Sequence, residues 1–259
     1  MTLILTGAAA VCGLMFLLWL VHFPMRNASI VDPGWAAGIA VLAIVYGWLG
    51  DGYRPRSALM MAMVSIWGFR LAGHLLVRVL GHPEEGRYVE IRRRWGTNIG
   101  FKFLLFFEGQ ALLCVLLSIP FYIAARNREA GLTAFEYAGM AIWIVSAAGE
   151  ALADAQLAAF KRNSANKGKT CRAGLWGYSR HPNYFFEWMV WVSFAIFAHH
   201  WLAIVSPALM LFFLLRVTGI PATEEQALRT KGDDYRDYQA RTSMFVPWFP
   251  KSDRTWVAL

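Results

Sequence analysis

Leu3 to Val21 runs for nineteen residues without an Asp, Glu, Lys or Arg. A membrane-spanning helix needs about 20 mostly apolar residues, so this run is long enough to cross a bilayer. A secretory leader is the weaker reading, because no Lys or Arg precedes the apolar stretch. Similar runs recur at Pro33 to Gly50, Ser57 to about Leu80, Phe103 to Ala125, and Ala130 to Gly149. The last of these continues as a predicted helix to Phe160. Of the 259 residues, 57% are hydrophobic and 16% charged; soluble domains carry about 25% charged residues. The composition excludes a disordered chain, a coiled coil and a disulfide-rich secreted module. Twelve Trp and eighteen Phe suit lipid-facing and interfacial surface.

Between Trp188 and Leu215 another 28 residues lack Asp, Glu, Lys and Arg. One helix of that length would measure about 42 Å, against a hydrocarbon core of about 30 Å. Two helices turning near His199 and His200 fit better, and charge placement agrees. Seven spans with the N-terminus outside put twenty Lys and Arg in inside segments and four outside. One long helix gives thirteen and eleven. The positive-inside rule prefers seven. The expected fold is an all-α integral membrane protein: a seven-transmembrane-helix bundle with a cavity opening to the cytoplasm, in one domain covering 1–259. In a prokaryote it would lie in the inner membrane, with a cytoplasmic C-terminus.

The net charge is +8. In a membrane protein that follows from basic inside loops, with a pocket for an anionic ligand as a compatible addition; nucleic acid is not expected. Cys12, Cys114 and Cys171 lie far apart with no CxxC, so neither a disulfide framework nor a metal site is expected. There is no GxGxxG after a strand, Walker A sequence, GxSxG or HExxH. A nucleotide would have to be held by side chains on helices.

Ionisable groups in spans are expensive and face a bundle interior or a watery cavity. Arg70, His74 and Arg78 recur every four residues and form one stripe. Glu150 and Asp154 form an acidic stripe. Asp32 precedes Pro33, and Arg216 ends the last span. Each has a plainer reading. Arg78, Arg180 and Arg216 can snorkel to the interface. Asp32 can cap a helix. Glu150 and Asp154 can pair with Arg70 or Arg78, and Glu108 with a basic neighbour. His199 and His200 read as turn residues. Together, however, cations and amide donors gather at the cytoplasmic ends, as a phosphate-bearing cofactor would require.

The most specific segment is Gly174-Leu-Trp-Gly-Tyr-Ser-Arg-His-Pro-Asn-Tyr-Phe-Phe-Glu187. Pro182 suits a first helical position, and Asn183 and Glu187 share a face. Arg180, His181 and Tyr184 bring a cation, an imidazole and a phenol to the same place. This segment resembles the steroid 5α-reductase C-terminal family, including its DUF1295-like bacterial branch and the sterol reductases. The resemblance extends through Ser29-Ile-Val-Asp32-Pro, Gly86-Arg-Tyr88, Arg94-Trp-Gly and Tyr235-Arg-Asp-Tyr238, with the family's C-terminal region at about 101–259.

That resemblance implies NADPH in a cytoplasm-facing cavity and reduction of the C=C of an enone in an apolar, steroid-like lipid, with 5α-reduction of a 3-oxo-Δ4-steroid as the leading case. It implies cofactor contacts from Arg70, His74, Arg87, Tyr88, Arg94, Asp154, Lys161, Asn183, Glu187 and Arg216, with Arg180, His181 and Tyr184 filling the sterol-reductase form of the motif. Asp32 falls where the family places a substrate-orienting Glu. Val31 stands where a Gln usually precedes that Glu, and Trp67 where the family has a catalytic Tyr. Tyr88 is the substitute proton donor. The substrate is expected to enter from lipid, and no obligate protein partner is expected.

A rival is an S-adenosylmethionine-dependent methyltransferase of the isoprenylcysteine or phospholipid type, which also carries an Arg-His-Pro-x-Tyr element. Asn183 with Glu187 and the wealth of Arg and Lys favour the reductase. A transporter or scaffold is the third reading; broken helices and inverted repeats are not evident.

Overall fold

The computed structural model describes residues 1–251, and all regular structure among them is helical. The α-helices are α1 (Thr2–Met25), α2 (Val31–Leu49), α3 (Arg54–Gly81), α4 (Gly86–Trp95), α5 (Ile99–Leu117), α6 (Ile119–Arg126), α7 (Ala134–Arg162), α8 (Pro182–Ala198), α9 (Val205–Phe212), α10 (Ile220–Lys231) and α11 (Asp233–Arg241). A π-helical segment, Phe213–Val217, follows α9. Six helical stretches are long and apolar enough to cross a membrane: Thr2–Met25, Ala28–Leu49, Arg54–Gly81, Ile99–Leu117, Ala134–Arg162 and Trp201–Lys231. They mark a multi-pass membrane protein. Arg254, counted above with the tail, lies outside the described residues.

Local chemistry explains where the helices stop. Arg26 ends α1 in the left-handed region at φ 51. Asn27 then caps a short 3-10 turn, Ala28–Ile30, by accepting from Ser29 N at 3.0 Å. Helix α2 therefore begins at Val31, before Pro33, and Asp32 lies inside its first turn without capping it. The fourth apolar run is also not one helix. It breaks at Ser118, and Pro120 lies in the first turn of α6, where its missing N–H is harmless. The run after Trp188 breaks at His199, whose φ is 44, and His200 Nδ1 accepts from Leu202 N at 3.2 Å.

Packing divides the chain into two compact units, 1–140 with 194–206, and 141–193 with 207 onward. In the first, α2 is the central helix; 67% of its apolar window is buried. Small residues allow its neighbours to approach closely. A Cβ on Gly68 of α3 would stand 3.0 Å from both Ala36 O and Ala40 Cβ, and one on Gly38 of α2 would stand 2.9 Å from Val11 of α1. Trp67 is 1% exposed and packs edge-on against Trp35 and Phe194. Arg56 and Glu136 are buried together at 2.5 Å, and Arg56 also donates to the carbonyls of Glu129 and Gly131 at 2.8 Å each. Among the described residues Glu108 forms no ion pair with a basic neighbour.

In the second unit the α7 segment packs on α8, where a Cβ on Gly149 would stand 2.5 Å from the Phe186 ring. Trp176 Nε1 donates to Ala153 O at 2.8 Å, fixing the loop before α8 to α7.

Candidate functional site

The first unit gathers the predicted acid and its partners. The chain leaving α3 folds back on the turn before α2. Ala28 N donates to Glu84 at 2.7 Å, and Glu85 N donates to Ser29 Oγ at 3.0 Å. That anchoring starts α4 beside Asp32. Tyr88 OH donates to Asp32 Oδ1 at 2.7 Å, and Arg87 donates to Oδ2 of the same carboxylate. Arg87 also lies 4.7 Å from the centre of the Tyr88 ring and 3.3 Å from Glu85. Arg78 completes the chain of charges by pairing with Glu85 at 3.0 Å.

Tyr88 is 2% exposed, and its ring meets Phe106 edge-on. Burial first, then the Asp32 charge, pushes the Tyr88 phenol above its ordinary value. The phenol therefore keeps its proton across the physiological range. The Tyr88 O–H points at the Asp32 carboxylate, and a guanidinium offsets the carboxylate charge. Turned away from Asp32, that O–H can donate to an oxygen that gains negative charge.

Arg70 and His74 are exposed on α3, and His74 has no polar partner among the described residues. Arg94 pairs with Glu90 at 2.7 Å, one turn earlier on α4.

In the second unit, the motif at the start of α8 is tied to the C-terminal helices. Arg180 Nε pairs with Glu224 at 2.7 Å, and His181 Nε2 lies 3.2 Å from the same oxygen. Gln239 donates to the other Glu224 oxygen at 2.9 Å. Arg180 also donates to Gln239 O at 3.0 Å and Thr242 O at 2.9 Å. Arg180 and His181 thus bind the tail to the motif. From the sequence Glu224 reads, with Glu225, as a tail acid that the methyltransferase rival also carries; nothing local points to a partner 44 positions away.

Asn183 donates to Asp154 at 3.2 Å, joining α8 to α7. Tyr184 stacks on His181 and shares a hydrogen bond with Thr223 at 3.2 Å. Glu187 accepts from Trp191 Nε1 at 3.1 Å. Arg216 is exposed in the π-helical segment; such segments often mark functional places in a helix. Lys161, at the end of α7, lines a cavity of about 270 Å³. Among the described residues no three His, Cys, Asp or Glu converge as metal ligands.

Residues 18–242 match the family described as "Protein of unknown function (DUF1295)". An uncharacterized protein of Schizosaccharomyces pombe is 27% identical, with the alignment covering 89% of this chain and 75% of the yeast protein. No solved structure matches the chain.

Proposed function

We propose a reductase function from the premise that the chain belongs to the DUF1295 family, which is related to steroid 5α-reductase-like membrane proteins. The reading is NADPH-dependent reduction of the C=C bond of an enone in an apolar lipid, with a 3-oxo-Δ4-steroid as the leading substrate. The observation that carries it is the Tyr88–Asp32 hydrogen bond at 2.7 Å, with Arg87 on the other carboxylate oxygen. This is a buried phenol held beside a carboxylate and a cation, within a chain of apolar helices. Seven crossings belong to this reading, with the 17 residues of α8 as the one beyond the six long apolar stretches. So do a cytoplasm-facing cofactor cavity, an outside N-terminus and a cytoplasmic C-terminus.

The residues present fit a polyanionic cofactor. In the second unit, Arg216 has no acidic partner among the described residues, and Lys161 lines a cavity without carboxylates. These two would hold its charged groups, with Asn183, Tyr184 and Glu187 as further polar contacts; Arg70 and His74, in the first unit, are expected at the cofactor from the resemblance alone. Arg180 and His181 serve the site through Glu224, by fixing the loop that starts α8. When bound, the cofactor would supply a hydride to the β-carbon of the enone. The Tyr88 O–H, which points at Asp32, would turn to the ketone oxygen and give up its proton as that oxygen gains charge. The enol so formed would take a proton from water at its α-carbon and return its O–H proton to Tyr88, leaving the saturated ketone. Asp32 would position the phenol before that turn, and Arg87 would lower the energy of the negative charge left behind.

Variants test these roles. Tyr88→Phe should lower kcat for a 3-oxo-Δ4-steroid by roughly 10²–10⁴-fold, the usual contribution of a positioned proton donor. Asp32→Asn should lower it less, because the phenol remains. Full turnover in Tyr88→Phe would remove Tyr88 from the mechanism.

A further inference from the structure

Lys161 ends α7, and the loop after it brings Lys167 and Lys169 to the same cavity. Lys231, the last residue of α10, joins them. Gly168 turns the chain between the two loop lysines with φ +79, a left-handed value that suits glycine. Leu157 and Phe160 form an apolar wall. No Asp or Glu lines the cavity. The nearby carboxylate of Asp234 is already held by Thr170 N at 2.7 Å and by Arg172 at 2.9 Å. None of the four lysines forms an ion pair with a described residue. Four ammonium groups around one small space repel one another, and an anion would relieve that repulsion.

We propose that this cavity is a binding site for a phosphomonoester. Lysines serve phosphates as mobile point charges with three donors each, and a dianion matches them better than a carboxylate. At about 270 Å³ the cavity is smaller than the roughly 300–1,000 Å³ that enclose a drug-sized ligand. It takes the phosphate end of a larger molecule and leaves the rest outside. Two sources carry that chemistry: the 2′-phosphate of NADP(H), and the headgroup of phosphatidic acid. Only the first rests on the reductase reading.

The test is thermal unfolding of the full chain in neutral detergent with NADP⁺, NAD⁺, phosphatidic acid or phosphatidylcholine. The wild type should gain stability from at least one phosphomonoester and little from NAD⁺ or phosphatidylcholine. Lys167→Gln/Lys169→Gln/Lys231→Gln, with Lys161 kept, should lose that gain, with affinity falling about tenfold or more per lysine. If the triple variant does not fold, Lys169→Gln alone should show the tenfold loss. Stabilisation by NADP⁺ identifies the nucleotide. Stabilisation by phosphatidic acid alone identifies a lipid headgroup, and then counts against the reductase reading while the cavity assignment stands. The proposal is overturned if neither phosphomonoester stabilises the wild type, or if the variants respond as the wild type does.

Discussion

Arg56 shows how a single charge can be made tolerable inside this protein. Its guanidinium is 1% exposed, and it faces Glu136 at 3%. Four acceptors surround it: Glu136 at 2.5 Å, the carbonyls of Glu129 and Gly131 at 2.8 Å each, and that of Asn127 at 3.3 Å. Glu136 in turn accepts from Thr133 N at 2.8 Å. Removing one member leaves the other charge buried and alone, which costs about 3–5 kcal/mol. Arg56→Met should therefore lower unfolding stability in detergent by about that amount, and Arg56→Met/Glu136→Met should recover much of it. Equal stability of the single variant and the wild type would show that the pair contributes nothing. The sequence placed Arg56 only as a charge outside a span. Its partner is 80 positions away, and no local pattern announces such a pair.

At the scale of elements, glycines and tail contacts decide how helices meet. Gly68 lets α3 reach the backbone of α2, with Ala36 O at 3.0 Å from the site of a Cβ. A backbone atom cannot move aside as a flexible side chain can. Gly68→Val should lower the thermal midpoint, with overpacking costing about 1–3 kcal/mol; an unchanged midpoint would mean the helices separate freely. Helix α11 is held differently. Arg172 bridges Asp234 and Asp237 at 2.9 and 2.8 Å. Hydrogen bonding from Thr170 holds Asp234 below the usual carboxylate value, and Arg172 does the same for Asp237. Depressed acids stabilise the folded form above their unfolded value, near pH 3.9, and lose that effect as pH falls through the folded value. Protection from hydrogen exchange in α11, corrected for the intrinsic rate at each pH, should therefore fall below about pH 4 and stay flat from about pH 5 to 7. Equal protection at pH 3 and pH 6 would show that these pairs do not hold the helix.

For the whole molecule, the apolar spans were readable because length and the absence of charge leave few alternatives in a bilayer. The turn at His199 was readable from length together with charge placement. The break at Ser118 was not, since Pro120 inside an apolar run can also be tolerated in a membrane helix. The corner formed by Asp32, Arg87 and Tyr88 was foreshadowed residue by residue, but not as one cluster, because 55 residues separate Asp32 from Arg87. Arg180 and His181, expected at the cofactor, bind Glu224 in the tail. A motif names the residue types; the fold determines which of them already have partners.

Ligand choice bears most directly on the reductase reading. Purified full-length protein in phosphatidylcholine nanodiscs can be titrated with NADPH and, separately, with S-adenosylmethionine, following tryptophan fluorescence. Saturable NADPH binding, with little response to S-adenosylmethionine, is the expected result. Tight S-adenosylmethionine binding with none for NADPH would contradict it.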